Sequence, residues 1–279
     1  MSLSFRNQLR LGLAPGQITV QRVARGWRPQ PAQPERRTCA LATGSEPAWQ
    51  PALAALETLL QETGVTNSDA AIVLSNHFVR YALVPLHERL VRPADDLALA
   101  RHQFLQAYGP VARDWSLQVS DDGRGRGSRL ACAIDSALLE ALRALCRAHK
   151  LALHSLQPYL MNAFNQWRAQ LDPNGGLVLV EPGRLCVARF RAGHWEAVSN
   201  RRIGTDWLQE LSTLRDRERL LEGAAAGAAV ASLQVYAPDF PPPSATQQRQ
   251  HPELVWLPST YTGQAGATEA SDALAGSGG

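Results

Sequence analysis

The sequence predicts an α/β protein built from two related halves, with a small α+β insert in the first half and a truncated second half. Three observations carry this prediction. The segments Leu11 to Val20 and Leu177 to Val187 each read as an apolar strand, a tight turn ending in Gly16 or Gly183, and a return strand. Between Pro85 and His154 the periodicity changes to helix, strand, strand, helix. Asp172-Pro173-Asn174-Gly175-Gly176 is the clearest linker in the chain. The division that follows assigns residues 1–85 with 155–175 to the first core, 86–154 to the insert and 176–261 to the shortened second half. Residues 262–279 are small and polar, as a disordered tail is.

After the first hairpin, Arg28 to Thr38 is rich in Pro and Gln and reads as a surface loop. Leu53, Leu56, Leu59 and Leu60 recur at helical spacing, so a half-buried helix is expected over about 47–63, closed by Gly64. Ala70 to Leu74 is a continuous apolar run, as in a central parallel strand, and Phe78 to Val84 is another strand ending at Pro85. In the insert, Pro93-Ala94-Asp95-Asp96 opens a helix that Gly109-Pro110 stops. Trp115 to Val119 and Arg129 to Ile134 flank the Asp121–Gly127 loop as a hairpin, and Asp135 caps a helix carrying Leu138, Leu139, Leu142, Leu145 and Cys146. Leu153 to Leu156 reads as a strand and Pro158 begins a helix. Past the linker come three strands, a charged helix over about 206–222, and strands near 233–236 and 254–257, separated by a polar loop over 238–250.

Composition excludes several functions. The chain has 279 residues, 45% of them hydrophobic, enough for a substantial core. Its net charge is +3, and of its 28 basic residues only Lys150 is lysine, without the clustering a nucleic-acid surface requires. Cys39, Cys132, Cys146 and Cys186 contain no C-x-x-C pair, so buried free thiols are expected. No apolar run approaches the roughly 20 residues of a membrane span. The N-terminus lacks the regions of a signal peptide, so a cytoplasmic protein without direct membrane insertion is expected. The seven histidines include no H-E-x-x-H and no pair at i, i+4, which argues against a metal site. Gly123-Arg124-Gly125-Arg126-Gly127 reads as a hairpin tip, or else as a phosphate-binding or RNA-binding loop.

Taken in order, several segments resemble the PilM family of type IV pilus assembly and the related cytoplasmic L-type proteins of type II secretion. They are Val84-Pro85-Leu86, the acidic helix Asp95 to Tyr108, Trp115 to Val119, Leu130 to Ala133 leading into Asp135, Gln157 to Phe164, Glu181-Pro182-Gly183, and Arg201-Arg202-Ile203-Gly204. The resemblance covers about residues 10–220 and implies an actin-like (ribonuclease H-like) duplicated fold. It implies that the two Gly turns descend from turns that hold nucleotide phosphates, with a carboxylate holding the metal. Ala14 stands where that carboxylate would be in the first turn, and Glu181 replaces Asp in the second. Pro15 and Pro182 each remove a backbone N–H from a loop that works through N–H donors.

Ala14, Gly16, Gln17, Glu181 and Gly183 are therefore read as vestigial nucleotide turns, with neither ATP nor Mg2+ expected as cofactor and no enzymatic activity. The resemblance further implies a scaffold recruited to the inner-membrane face, docking a short segment of an inner-membrane pilus or secretion protein. The implied groove lies between the insert and the first core, lined by some of Pro85, Phe104, Tyr108, Trp115, Leu117 and Val119. Phe104 and Trp115 can equally be the insert's own core. The competing functions are a nucleotide-binding ATPase or switch with a weakened metal site, and an unrelated α/β protein whose hairpins mimic the pattern.

Overall fold

The computed structural model describes residues 7–24, 30–85, 93–120, 127–222, 232–241 and 243–258. The expected tail over 262–279 and the Gly-Arg loop up to Arg126 lie outside the described residues. Strands β1 (Gln8–Ala14) and β2 (Gln17–Ala24) form the first expected hairpin, with Ala14 opposite Gln17. Only Pro15 and Gly16 connect them, and Gly16 has a φ of +79°. Proline presets the first corner of such a turn and glycine accepts the left-handed second.

The loop expected over Arg28 to Thr38 is corrected: β3 (Gln30–Pro31) and β4 (Glu35–Thr38) both pair with β2. Glu35, Arg36 and Arg37 give β4 no apolar alternation, so the pairing comes from the open edge of β2 rather than from the segment's own pattern. Helix α1 (Gln50–Thr63) buries Leu56, Leu59 and Leu60 and ends at Gly64, whose left-handed N–H bonds Leu60 O. Strand β5 (Asp69–Leu74) lies parallel to β1.

Next come β6 (Val79–Val84), α2 (Pro93–Tyr108), a 3-10 turn over Gly109–Asp114, β7 (Trp115–Val119), β8 (Arg129–Asp135), α3 (Ser136–Ala148), β9 (Ala152–Pro158) and α4 (Tyr159–Trp167). The expected order of helix, strand, strand, helix is present, but two assignments change. β6, expected in the first core, pairs with β8 and makes a three-stranded sheet in the order β6-β8-β7. α3, expected to pack within the insert, puts Leu138, Leu142, Leu145 and Cys146 into the main core beside Leu56 and Leu60. Asp135 fixes the start of α3. Its Oδ1 accepts from Ala137 N at 2.9 Å, and its Oδ2 accepts from Trp49 Nε1, next to α1, at 3.0 Å.

The second half contains β10 (Gly176–Glu181), β11 (Arg184–Arg191), β12 (His194–Arg202), α5 (Trp207–Glu222), β13 (Leu233–Tyr236), α6 (Ala245–Gln250) and β14 (Leu254–Trp256). Its sheet order, β12-β11-β10-β13-β14, repeats the order β3-β2-β1-β5-β9 of the first, with the same parallel and antiparallel pairings. The truncation therefore falls on the connections. Whereas β5 and β9 are separated by the small sheet, α2 and α3, the described residues of the link from β13 to β14 hold one element, α6. Within the 238–250 stretch expected to be loop, α6 is closed by a capping box of Ser244 and Gln247. One core runs through both large sheets by way of Tyr159, Leu160, Ala163 and Trp167 on α4.

Candidate functional site

The two Gly turns occupy equivalent places in their halves. Ala14-Pro15-Gly16-Gln17 in the first corresponds to Glu181-Pro182-Gly183-Arg184 in the second, and Gly183 has a φ of +73°. The chemistry is concentrated in the second turn. Glu181 is 2% exposed and faces the loop that leaves β5, where Ser75 Oγ donates to Glu181 Oε1 at 2.5 Å and Asn76 N donates to Oε2 at 3.1 Å. His77 Nε2 donates to Pro182 O at 3.0 Å, and Asn200 Nδ2 donates to the carbonyls of Asn76 and Val79 at 2.8 and 3.0 Å. Tyr81 OH completes the cluster by donating to Asn76 Oδ1 at 2.7 Å. Each contact joins one half of the molecule or the small sheet to the next.

Burial dominates the electrostatics here. It pushes the Glu181 carboxyl up to about 7, against the opposing pull of the Ser75 and Asn76 hydrogen bonds and of Arg184. Burial, followed by Arg184, drives the His77 imidazole down to about 4, with Arg202 and Arg80 adding to the effect. Among the described residues no group of three or more His, Cys, Asp or Glu side chains is placed to hold a metal ion.

A second feature lies between the small sheet and the first large sheet. A cavity of about 390 Å³ is walled by Ser116, Leu117 and Gln118 of β7, Cys132 and Ile134 of β8, Leu139 and Arg143 of α3, and residues 153–158 of β9. Among the described residues β7 and β9 are both terminal strands of their sheets, with no strand paired on their outer edges, and both border the cavity. Burial raises the Cys132 thiol to about 11, which keeps it protonated and unreactive.

The residues expected to line a groove are distributed differently. Register places Trp115, Leu117 and Val119 on the face shared with Ala131 and Ala133, where they pack with Phe104 under α2. Tyr108, 42% exposed, packs on Trp115 with ring centroids 5.1 Å apart, and Pro85 is exposed. Of the six, only Leu117 reaches the cavity wall. Ser116, Gln118, Cys132 and Ile134, on the opposite face, were not picked out by sequence reasoning. The alternation along β7 was the available signal, and its polar half carried the cavity.

No protein-family model matches the chain and no curated protein matches it. Solved structures do match. A PilM-PilN type IV pilus biogenesis complex superposes with a TM-score of 0.57 and 15% identity, over 82% of this chain and 81% of that one. A Bacteroides thetaiotaomicron protein of unknown function with an actin-like ATPase fold gives a TM-score of 0.60 at 9% identity, over 91% of each chain. The fold is actin-like. The cytoplasmic domain of EpsL, an inner-membrane component of the type II secretion system of Vibrio cholerae, extends the likeness to 98% of this chain and 94% of its own, with a TM-score of 0.54 and 12% identity.

At the two Gly turns, which the resemblance makes the places for nucleotide phosphates and a metal, the side chains offer few free oxygen ligands. Ala14 has no side-chain oxygen to offer a metal. Both oxygens of Glu181 are already hydrogen-bonded across the cleft, and His77 Cε1 lies 3.8 Å from where a Cβ of Gly183 would be. No described helix is long and apolar enough to cross a membrane.

Proposed function

We propose that this chain is a non-catalytic scaffold of a type IV pilus or type II secretion-like assembly. It docks a short cytoplasmic segment of an inner-membrane partner and is thereby recruited to the cytoplasmic face of that membrane. The observation that carries the reading is the cavity between the free edges of β7 and β9, since an extended segment gains main-chain hydrogen bonds from a strand edge and selectivity from adjoining pockets. Leu117, Ile134, Leu139 and Leu156 supply the apolar pockets. The architectural likeness to the PilM-PilN complex and to EpsL supports the choice of assembly. The cross-cleft bonds of Glu181 favour a role without ATP or Mg2+.

The reading is tested by probing the chain with an array of cytoplasmic segments from the inner-membrane pilus and secretion proteins of its host. Gln118→Arg and Leu156→Glu place charge on the cavity wall and are expected to weaken capture by at least the ~2 kcal/mol of a central anchor. Tyr108→Ala, on the α2 side, should leave capture intact. If Tyr108→Ala abolishes capture and the cavity variants do not, docking occurs on the α2 face and the cavity assignment fails.

A further inference from the structure

The cavity between β7 and β9 carries charge of one sign. Among the described residues its wall includes Arg143 and His154 and no carboxylate. Between Glu140 and Asp172 the sequence holds Arg143, Arg147, Lys150 and Arg168 and neither Asp nor Glu, spread too thinly to stand out as a motif. The fold gathers three of them. Leu138, Leu142, Leu145 and Cys146 turn one side of α3 into the core, which leaves Arg143 and Arg147, a turn apart, on the exposed side. Lys150, exposed and left-handed at a φ of +55°, then reverses the chain. Its N–H bonds Arg147 O at 3.1 Å and its carbonyl accepts from Asn67 N at 3.1 Å, so β9 starts beside the end of α3. Among the described residues Arg143 pairs with Glu140 at 2.8 Å, and no carboxylate pairs with Arg147 or Lys150. Strand β9 adds a second observation. Leu153 is opposite Ala70 and Ser155 opposite Ala71 on β5, so His154 is an extra residue, a bulge of the kind that re-aims a side chain, and it is exposed in the same wall as Arg143. The helix dipole accounts for a cation in the last turn of α3, as Arg147 is, but not for Arg143 a turn earlier or for His154 on a strand.

We propose that this edge selects an acidic extended segment, whose carboxylates meet Arg143 and His154 in the cavity and Arg147 and Lys150 beyond it. The proposal rests on the docking reading above and names the chemistry of its occupant. Arg143 offers a carboxylate the two parallel N–H bonds of a guanidinium fork, and the His154 imidazole supplies a further N–H donor. The bond to Glu140 does not forbid this, because an exposed pair a turn apart on one helix contributes little and yields to a carboxylate held in place by strand bonds. Low-dielectric walls focus the field of the cations that line them, so Leu117, Ile134, Leu139 and Leu156 strengthen the attraction as well as supplying apolar contact. A lipid surface could reach Arg147 and Lys150 but not the cavity, and the concave wall therefore favours a segment of chain.

The test prepares each segment of the capture array in two forms, the parent and one with every Asp and Glu replaced by Asn and Gln, and measures Kd for the full chain by fluorescence anisotropy. Captured segments should be acidic, and the amide forms should bind about tenfold more weakly, the scale of one charge-assisted bond. Added sodium chloride should weaken the parents more than the amide forms. Arg143→Glu should weaken acidic segments and strengthen forms carrying Lys in place of the acids. His154→Glu, on the strand instead of the helix, is a second variant with the same reversal expected, which keeps the test decisive if the first fails to fold. Equal Kd for parent and amide forms, capture confined to neutral or basic segments, or variants that lose acidic and Lys forms alike overturns the proposal and leaves docking standing. Capture of no segment at all overturns both. Sedimentation of the chain with phosphatidylglycerol vesicles, lost in Arg147→Glu while parent and amide segments bind equally, assigns the basic stripe to a lipid surface and likewise overturns the proposal. The bulk of Gln118→Arg obstructs acidic and neutral segments alike, so capture lost in that variant reports on docking alone.

Discussion

Glu181 and His77 share one inter-half contact, and burial displaces their protonation in opposite senses. With its carboxyl pushed up to about 7, folded Glu181 holds its proton more tightly than the unfolded chain does, so its contribution to stability is complete below 4.5 and is lost as pH rises to about 7. His77, driven down to about 4, resists protonation in the fold; its contribution is complete above 6.5 and is lost as pH falls toward about 4. Over the shared window the two slopes oppose and mask each other. Glu181→Gln is expected to unmask the histidine slope, with unfolding free energy rising by about 1–3 kcal/mol from about pH 5 to about pH 7. His77→Gln should unmask the opposite fall. Urea denaturation of both variants at the two pH values checks this, and slopes of the same sign would refute it. The identities at these turns were plain in the sequence. The destination of Glu181 was not, because Ser75 lies 106 positions away and neither residue carries a local pattern naming the other.

Among the elements, β7 shows how a strand can be legible while the neighbours of each face are not. Its odd-numbered apolar residues identify a half-buried strand, but alternation alone does not say whether the apolar face meets a core or a ligand. In the fold that face packs on Phe104, which is 1% exposed and edge-on to Trp115 with ring centroids 6.1 Å apart, while Leu117 also reaches the cavity wall. Phe104→Ala should therefore destabilise the protein by about 3–5 kcal/mol, whereas Tyr108→Ala, partly in solvent, should cost no more than about 1.5 kcal/mol. Thermal and urea unfolding of the two variants measure the difference, and equal losses would contradict this packing. The apolar stripe of α3 was likewise legible but its destination was not, since a stripe specifies burial without specifying the neighbour. Strand β4 left no trace in the sequence because an edge strand with Arg36 and Arg37 borrows its structure from β2.

At the scale of the whole molecule, the duplication was the most legible property, because each half repeats a strand, a two-residue turn with Pro and Gly, and a return strand. The equivalence of the two complete sheets was less visible, since the second half shortens its connections and so looks incomplete when counted in residues. The bonds from Ser75, Asn76, His77 and Asn200 hold the two halves and the small sheet together around the Glu181 turn. Calorimetric titration with millimolar ATP and magnesium is expected to give no heat of binding, and a micromolar Kd would overturn that expectation. Strand β9 has a different consequence. It is the terminal strand of its sheet among the described residues and runs directly through Pro158 into α4, where Tyr159 and Trp167 pack on Tyr236, and Phe164 packs on Phe190 and Trp195 of the other large sheet. A tether seated along β9 and pulled from a membrane would strain its backbone bonds side by side, in shear. The tension would pass through Pro158 into the middle of the molecule, so that detaching the tether would require many bonds to fail at once instead of unzipping singly. Under the proposed docking, strand and helix together would form a mooring whose grip is at the edge and whose anchorage is in the centre.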